Sequence, residues 1–163
     1  MRYLVRERIF SIGDKFDIQD ESGRNVYEVA GKVFSFGNKL NIFDMSGNNL
    51  IYIEQKIFKF LPEYYIYMGD KIVANVKKEF TFFRPKFNIF SDFGDFTLEG
   101  DIFAHDFSIF KDGNEICRVN KKWISISDAY GVEIFGDEDP AFILALCIVF
   151  DQVLYDNNGS KNA

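Results

Sequence analysis

His105 is the one histidine of the chain and stands next to a carboxylate in Phe103-Ala104-His105-Asp106-Phe107. A histidine–aspartate dyad needs the two side chains to face each other, whereas neighbours on a strand point to opposite faces. A structural or solvent-facing histidine is therefore the expectation. No Gly-x-Ser-x-Gly elbow, Gly-Lys-Ser/Thr phosphate loop or His-Glu-x-x-His helix occurs, so nucleophilic hydrolysis, nucleotide binding and zinc hydrolysis have no motif to rest on.

Carboxylates crowd two stretches, Asp92, Asp95, Glu99, Asp101 and Asp106 in one and Asp137, Glu138 and Asp139 in the other. Oxygen ligands of this kind suit a hard cation, and a metal-assisted hydrolase is the alternative reading if Asp92, Asp95 and Asp101 converge. EF-hand spacing is missing, and acids ahead of a helix are ordinary capping and dipole partners. Structural or solubilising roles are expected, with no catalytic residue, no metal and no cofactor.

Basic and aromatic residues meet in Lys77-Lys78-Glu79-Phe80-Thr81-Phe82-Phe83-Arg84-Pro85-Lys86-Phe87. A hairpin here offers Lys77, Lys78, Arg84 and Lys86 to an anionic headgroup while Phe83 dips into the interface. Each cation near an anionic membrane contributes roughly 1 kcal/mol, so binding would be weak, salt-sensitive and reversible. The plainer reading is that these are solubilising charges beside a sheet edge, with Lys77 and Lys78 on opposite faces. A smaller cluster, Arg118, Lys121 and Lys122 beside Trp123, is accounted for by lysine stems packing over an aromatic ring.

The elements that position these residues follow from composition and pattern. With 163 residues, 47% of them apolar, the chain suits one core and one domain. Its 20 Phe and 8 Tyr against 3 Pro favour half-buried strands. The formal charge of −6 repels polyanions, which argues against nucleic acid. Charges interrupt every apolar stretch of Met1-Arg2-Tyr3-Leu4-Val5-Arg6-Glu7-Arg8, so no secretory leader is read there; the expectation is a cytoplasmic protein, peripheral at a membrane if it binds one. Cys117 and Cys147 both lie in apolar segments without ligand spacing, and reduced buried thiols are expected in place of zinc or a disulfide.

The chain repeats itself. Phe16-Asp17-Ile18-Gln19-Asp20-Glu21-Ser22-Gly23 returns as Leu40-Asn41-Ile42-Phe43-Asp44-Met45-Ser46-Gly47, and both copies run on into Lys32-Val33-Phe34-Ser35-Phe36 and Lys56-Ile57-Phe58-Lys59-Phe60. Weaker copies follow at Lys78-Glu79-Phe80-Thr81-Phe82 and Ile109-Phe110-Lys111-Asp112-Gly113. Glycine beside Ser, Asp or Asn marks tight hairpins, and the apolar period of two, as in Phe96 and Leu98 alternating with Thr97 and Glu99, marks strands with one buried face. Phe34, Phe36, Phe58, Phe60, Phe80 and Phe82 are expected to line a barrel at equivalent places.

At Asp139 the period changes. Asp139 suits an N-cap and Pro140 the first helical position, and from Ala141 to Phe150 every side chain is apolar. A helix of about 139–155 with no wet face must be surrounded, and a sheet with one apolar face is what can surround it. At about half the roughly 20 residues needed to cross a bilayer, the run reads as a buried helix; the polar residues 157–163 read as a frayed tail, leaving one domain over 1–156.

Arg6-Glu7-Arg8-Ile9-Phe10-Ser11-Ile12-Gly13-Asp14-Lys15-Phe16-Asp17-Ile18, the Asp-x-x-Gly turns, the Lys-x-Phe-x-Phe segments and the Asp-Pro-apolar helix together resemble the LURP-one-related family from about Tyr3 to Asp156. The resemblance implies a mainly β protein, a twelve-stranded closed antiparallel barrel threaded by its C-terminal helix, as in the tubby-like fold. Tubby proteins bind phosphoinositides through basic surface residues, and the phospholipid scramblases look like the same fold, but a fold does not transfer a function. The expectation is a non-enzymatic binding or scaffold module that takes anionic lipid headgroups or a protein partner.

Overall fold

The computed structural model describes residues 1–6, 15–34, 37–57, 60–82, 85–121 and 129–159. Twelve strands run in chain order as β1 (Arg2–Arg6), β2 (Lys15–Asp20), β3 (Asn25–Phe34), β4 (Gly37–Asp44), β5 (Asn49–Gln55), β6 (Glu63–Met68), β7 (Lys71–Lys78), β8 (Phe87–Ser91), β9 (Phe96–Asp101), β10 (Asp106–Lys111), β11 (Asn114–Asn120) and β12 (Ala129–Ile134), before the helix α1 (Pro140–Gly159). Each strand pairs antiparallel with its neighbours in sequence, and β1 pairs with β12 to close the barrel. Closure removes the free edges that an open sheet would expose.

The sequence repeat has a structural counterpart in the turns. A β-bulge falls at Ile18/Gln19, at Ile42/Phe43 and at Ile66/Tyr67, always at the same interval and always just before a tight turn. Asp20 Oδ1 accepts from the backbone N–H groups of Ser22 (2.9 Å) and Arg24 (3.1 Å), and Asp44 Oδ1 does the same for Ser46 and Asn48 (both 2.9 Å). Gly23 and Gly47 take the left-handed φ that these turns require, +82° and +87°, at little steric cost without a Cβ.

Because the meander alternates direction, its connections alternate between two ends of the barrel. The tight turns, β2–β3, β4–β5, β6–β7, β8–β9 and β10–β11, share one end with the start of α1, called here the turn end. The β5–β6, β7–β8 and β9–β10 connections share the other end, the mouth, toward which α1 runs.

The barrel is lined chiefly by β-branched aliphatic side chains, among them Ile18, Val29, Ile42, Ile51, Ile53, Ile66, Val76, Ile109, Val119 and Val132, with Leu40 beside them, all fully buried against α1. Such residues fit a pleated surface well. The expectation that phenylalanines line the barrel is overturned for the three that can be placed: Phe60, Phe80 and Phe82 are 90%, 64% and 85% exposed. They lie beyond the last paired residues Gln55 and Lys78, where the alternation continues in sequence but no ladder remains to turn it inward. Phe36 and Phe58, and the side chain of Phe34, lie outside the described residues.

In α1, Asp139 Oδ1 accepts from the N–H groups of Ala141 (2.9 Å) and Phe142 (3.4 Å), the N-cap contact the sequence calls for. Every side chain from Ala141 to Val153 is buried. Phe142 packs on Phe93 and Phe96 at the turn end, and Phe150 packs on Phe87 and Phe107 further along. The helix continues to Gly159, past the expected end near 155, because extending a formed helix adds a hydrogen bond for each residue ordered without a new nucleation cost.

Candidate functional site

The mouth gathers the exposed aromatic residues of three consecutive connections. Phe60 stands in β5–β6, Phe80 and Phe82 in β7–β8, and Phe103, 56% exposed, in β9–β10. Phe80 and Phe82 meet edge to face with centroids 5.2 Å apart. Glu79 N–H donates to the Lys86 carbonyl at 2.8 Å, closing the base of the β7–β8 connection, where Lys86 is exposed.

The four candidate cations do not share one environment. Lys77 points out from the barrel wall, its Nζ 3.8 Å from Glu63, which also lies 3.5 Å from Lys56. Burial pushes the Glu63 carboxyl up, but a hydrogen bond from Asn75 Nδ2 (2.9 Å) and the charges of Lys56 and Lys77 outweigh it and hold the group below its usual range. Lys78 follows the parity of the inward-facing Val76 and lies opposite Phe87 at the rim; burial lowers the pKa of its ammonium. Lys86 is exposed. Arg84 and Phe83 lie outside the described residues, as do Lys122 and Trp123 of the smaller basic cluster.

The carboxylates are divided by the strand directions. Asp92 and Asp95 sit at the turn end and Asp101 and Asp106 at the mouth, separated by the length of β9 and β10, so the convergence that a shared cation needs does not occur. Asp92 is paired with Lys71 at 2.9 Å, and among the described residues no group of three His, Cys, Asp or Glu side chains is placed to hold a metal ion. Glu138, grouped in sequence with Asp137 and Asp139, reaches Lys111 at 3.0 Å. An outer groove over β9, β10 and β11 is lined by Glu99, Asp106, Ser108, Glu115 and Arg118. Its central groups serve one another: Ser108 Oγ donates to Glu115 at 2.7 Å, and Arg118 pairs with Glu115 at 2.8 Å.

This division gives the barrel an electrostatic axis. At the turn end Asp20, Glu21, Asp44, Asp70, Asp92, Asp95, Asp112, Asp137, Glu138 and Asp139 outnumber Arg24, Lys71 and Lys111. At the mouth, among the described residues, Lys15, Lys56, Lys77, Lys78, Lys86 and Lys121 balance Glu54, Glu63, Glu79, Asp101, Asp106 and Asp151. The net charge of −6 thus describes the whole molecule and not the aromatic end.

Inside the mouth lies a polar layer the sequence pattern does not announce. His105 is placed in the β9–β10 turn with φ +49°, not on a strand as expected, and is buried. Its Nε2 lies 3.0 Å from Oδ1 of Asp151 in α1, and its ring stacks on Tyr130 at 4.7 Å. Asn38 Nδ2 donates to Gln152 Oε1 at 2.8 Å, again inside the barrel. Higher in the barrel, Cys117 of β11 and Cys147 of α1 are free, buried and in hydrogen-bond contact; that contact and burial together push the Cys117 thiol well up. The one hint of these partnerships in the sequence is that Asp151 and Gln152 are polar residues directly after the apolar run.

Among the described residues no helix is long and apolar enough to cross a membrane. The uncharacterised protein YxjI of Bacillus subtilis is 37% identical over 154 residues, covering 94% of each chain. The X-ray structure of a protein from Arabidopsis thaliana superposes with a TM-score of 0.65 at 18% identity, over 93% of this chain and 91% of that one, a likeness of fold. The model of the LURP-one-related family matches residues 1–151. With nearly the whole chain matched by that model and by a close relative of the same length, the protein belongs to the LURP-one-related family.

Proposed function

We propose that the barrel is a non-enzymatic binding module whose ligand is an anionic phospholipid headgroup, held by the basic residues Lys77, Lys78, Arg84 and Lys86 of the β7–β8 segment. The observation that carries this reading is Phe80 and Phe82, packed edge to face and exposed to water in the connection that Lys86 borders. An isolated exposed aromatic is unremarkable, but a patch of them rimmed by cations marks an interaction surface. Aromatic side chains favour the lipid–water boundary, and cations near an anionic bilayer add roughly 1 kcal/mol each.

The plugged interior supports an external site, since α1 is buried on every side from Ala141 to Val153. The resemblance to tubby proteins agrees in ligand class and adds no residue-level argument. Localisation under this reading is the inner face of a membrane, reached from the cytoplasm.

Co-sedimentation with phosphatidylcholine vesicles, with and without phosphatidylserine, tests the reading. Retention on the anionic vesicles alone, lost at high salt and lost by a variant with Lys77, Lys78, Arg84 and Lys86 changed to Gln, is the expected result. Failure to bind anionic vesicles at low salt would remove lipid as the ligand.

A further inference from the structure

We propose, taking the lipid reading as given, that the barrel docks end-on, mouth first. Phe60, Phe80, Phe82 and Phe103 then enter the boundary together, and the acidic turn end points away from the bilayer. This adds the β5–β6 and β9–β10 connections to the site and fixes an orientation that a headgroup contact on the β7–β8 segment alone leaves open.

Three observations carry it. Four exposed aromatics, Phe60, Phe80, Phe82 and Phe103, stand on three connections consecutive around the barrel and at the same end, against single exposed rings at Phe90 on the wall and Phe93 at the turn end, so the four meet a plane perpendicular to the barrel axis and not one lying along the wall. Lysines stand at the same end: Lys56 sits over the Tyr65 ring at 4.4 Å, and Lys77 and Lys86 flank Phe80 and Phe82 in sequence. The carboxylates of the tight turns lie at the far end. In the field of an anionic surface such a molecule is turned with its balanced end inward and its acidic end outward, even though its net charge is negative. Side-on docking would bring the outward-facing carboxylates Glu99 and Glu133 of the strands toward the same surface.

The occupant this surface fits is therefore an anionic bilayer and not a soluble headgroup alone, because a free headgroup leaves the phenylalanines in water.

The test places an environment-sensitive fluorophore on cysteine at position 60 or 82 at the mouth, and at position 45 at the turn end, where Met45 is exposed. The native Cys117 and Cys147 are buried and are expected to take no label in the folded protein. Each labelled protein is mixed with phosphatidylcholine–phosphatidylserine vesicles whose acyl chains carry bromine. Labels at 60 and 82 are expected to shift to the blue and to be quenched, and the label at 45 to remain as in water.

Phe60→Ser and Phe82→Ser are expected to weaken vesicle binding by at least about fivefold, with unchanged thermal unfolding. Vesicle binding with the 45 label quenched, or with both mouth labels wet, overturns end-on docking while leaving lipid binding standing. Absence of vesicle binding overturns both. A dimer in solution that Phe82→Ser dissolves would assign the aromatic mouth to a second copy and overturn the proposal.

Discussion

Oδ1 of Asp151 and Nε2 of His105 lie 3.0 Å apart inside the closed barrel, joining the central helix to the β9–β10 turn across 46 positions of sequence. With Asn38 and Gln152 the pair forms a polar layer that sets how far the helix is threaded. A one-turn slip of α1 would move both side chains about 5.4 Å and bury them against aliphatic lining. Apolar packing alone discriminates less between such registers, since Ala141 to Phe150 presents apolar side chains throughout.

Removing either partner of this pair leaves the other buried without the contact. Asp151→Ala and His105→Ala are each expected to destabilise the fold by about 3 kcal/mol, measured by urea denaturation at neutral pH. The double variant should cost less than the sum of the two; strict additivity would show that the contact carries no energy of its own.

Gly100 and Gly23 both have positive φ, +118° and +82°, but differ in surroundings. A Cβ on Gly100 would stand 2.6 Å from the Asp106 carbonyl oxygen and 2.7 Å from Phe107 Cα, whereas Gly23 has open space. Gly23→Ala is expected to cost about 1 kcal/mol, the left-handed penalty alone, and Gly100→Ala clearly more, on the order of 2 to 4 kcal/mol. Equal costs in chemical denaturation would contradict this account of the β9–β10 approach.

The repeated turn aspartates make stability pH-dependent. Asp20 is pulled down from 3.8 to about 2, first by the Ser22 hydroxyl and then, against burial, by the backbone and side chain of Arg24; Asp44 is lowered in the same direction by Asn48. Because the folded pKa lies below the unfolded one, the contribution is complete above about pH 4 and is lost as pH falls from 3.8 toward about 2. Carboxyl chemical shifts should titrate Asp20 near 2, and Asp20→Asn should flatten the acid limb of the stability profile.

Cys117 and Cys147 are expected to resist alkylation in the folded protein, because the raised Cys117 pKa keeps the thiol protonated and neither side chain is accessible. Thiol titration should find both reactive in denaturant and neither without it. Rapid modification of the native protein would mean that the helix leaves the barrel on the timescale of labelling.

Much of this architecture is written in local pattern. The spacing of Asp20 and Asp44 gives the turns, Asp139-Pro140 gives the start of the helix, and the missing polar face of Ala141 to Phe150 gives its enclosure. Phe60, Phe80 and Phe82 were misleading because alternation persists past the point where strand pairing stops, and pairing, not alternation, decides which way a side chain faces. The partners of His105 and Cys117 lie on a helix tens of residues away, and only the closed barrel brings them together. The candidate cations are legible as a cluster, but the division between Lys77, outside with Glu63, and Lys78, at the rim beside Phe87, needs the register of β7 on β8.

The most direct test of the account compares two variants of equal charge on phosphatidylserine-containing vesicles. Lys77→Gln with Lys86→Gln removes two cations from the mouth, and Arg24→Gln with Lys71→Gln removes two from the turn end. The account predicts that the mouth pair weakens vesicle affinity by roughly tenfold or more while the turn-end pair leaves it near the parent value. Equal losses from both pairs would mean that only net charge matters, and would contradict a lipid-binding mouth.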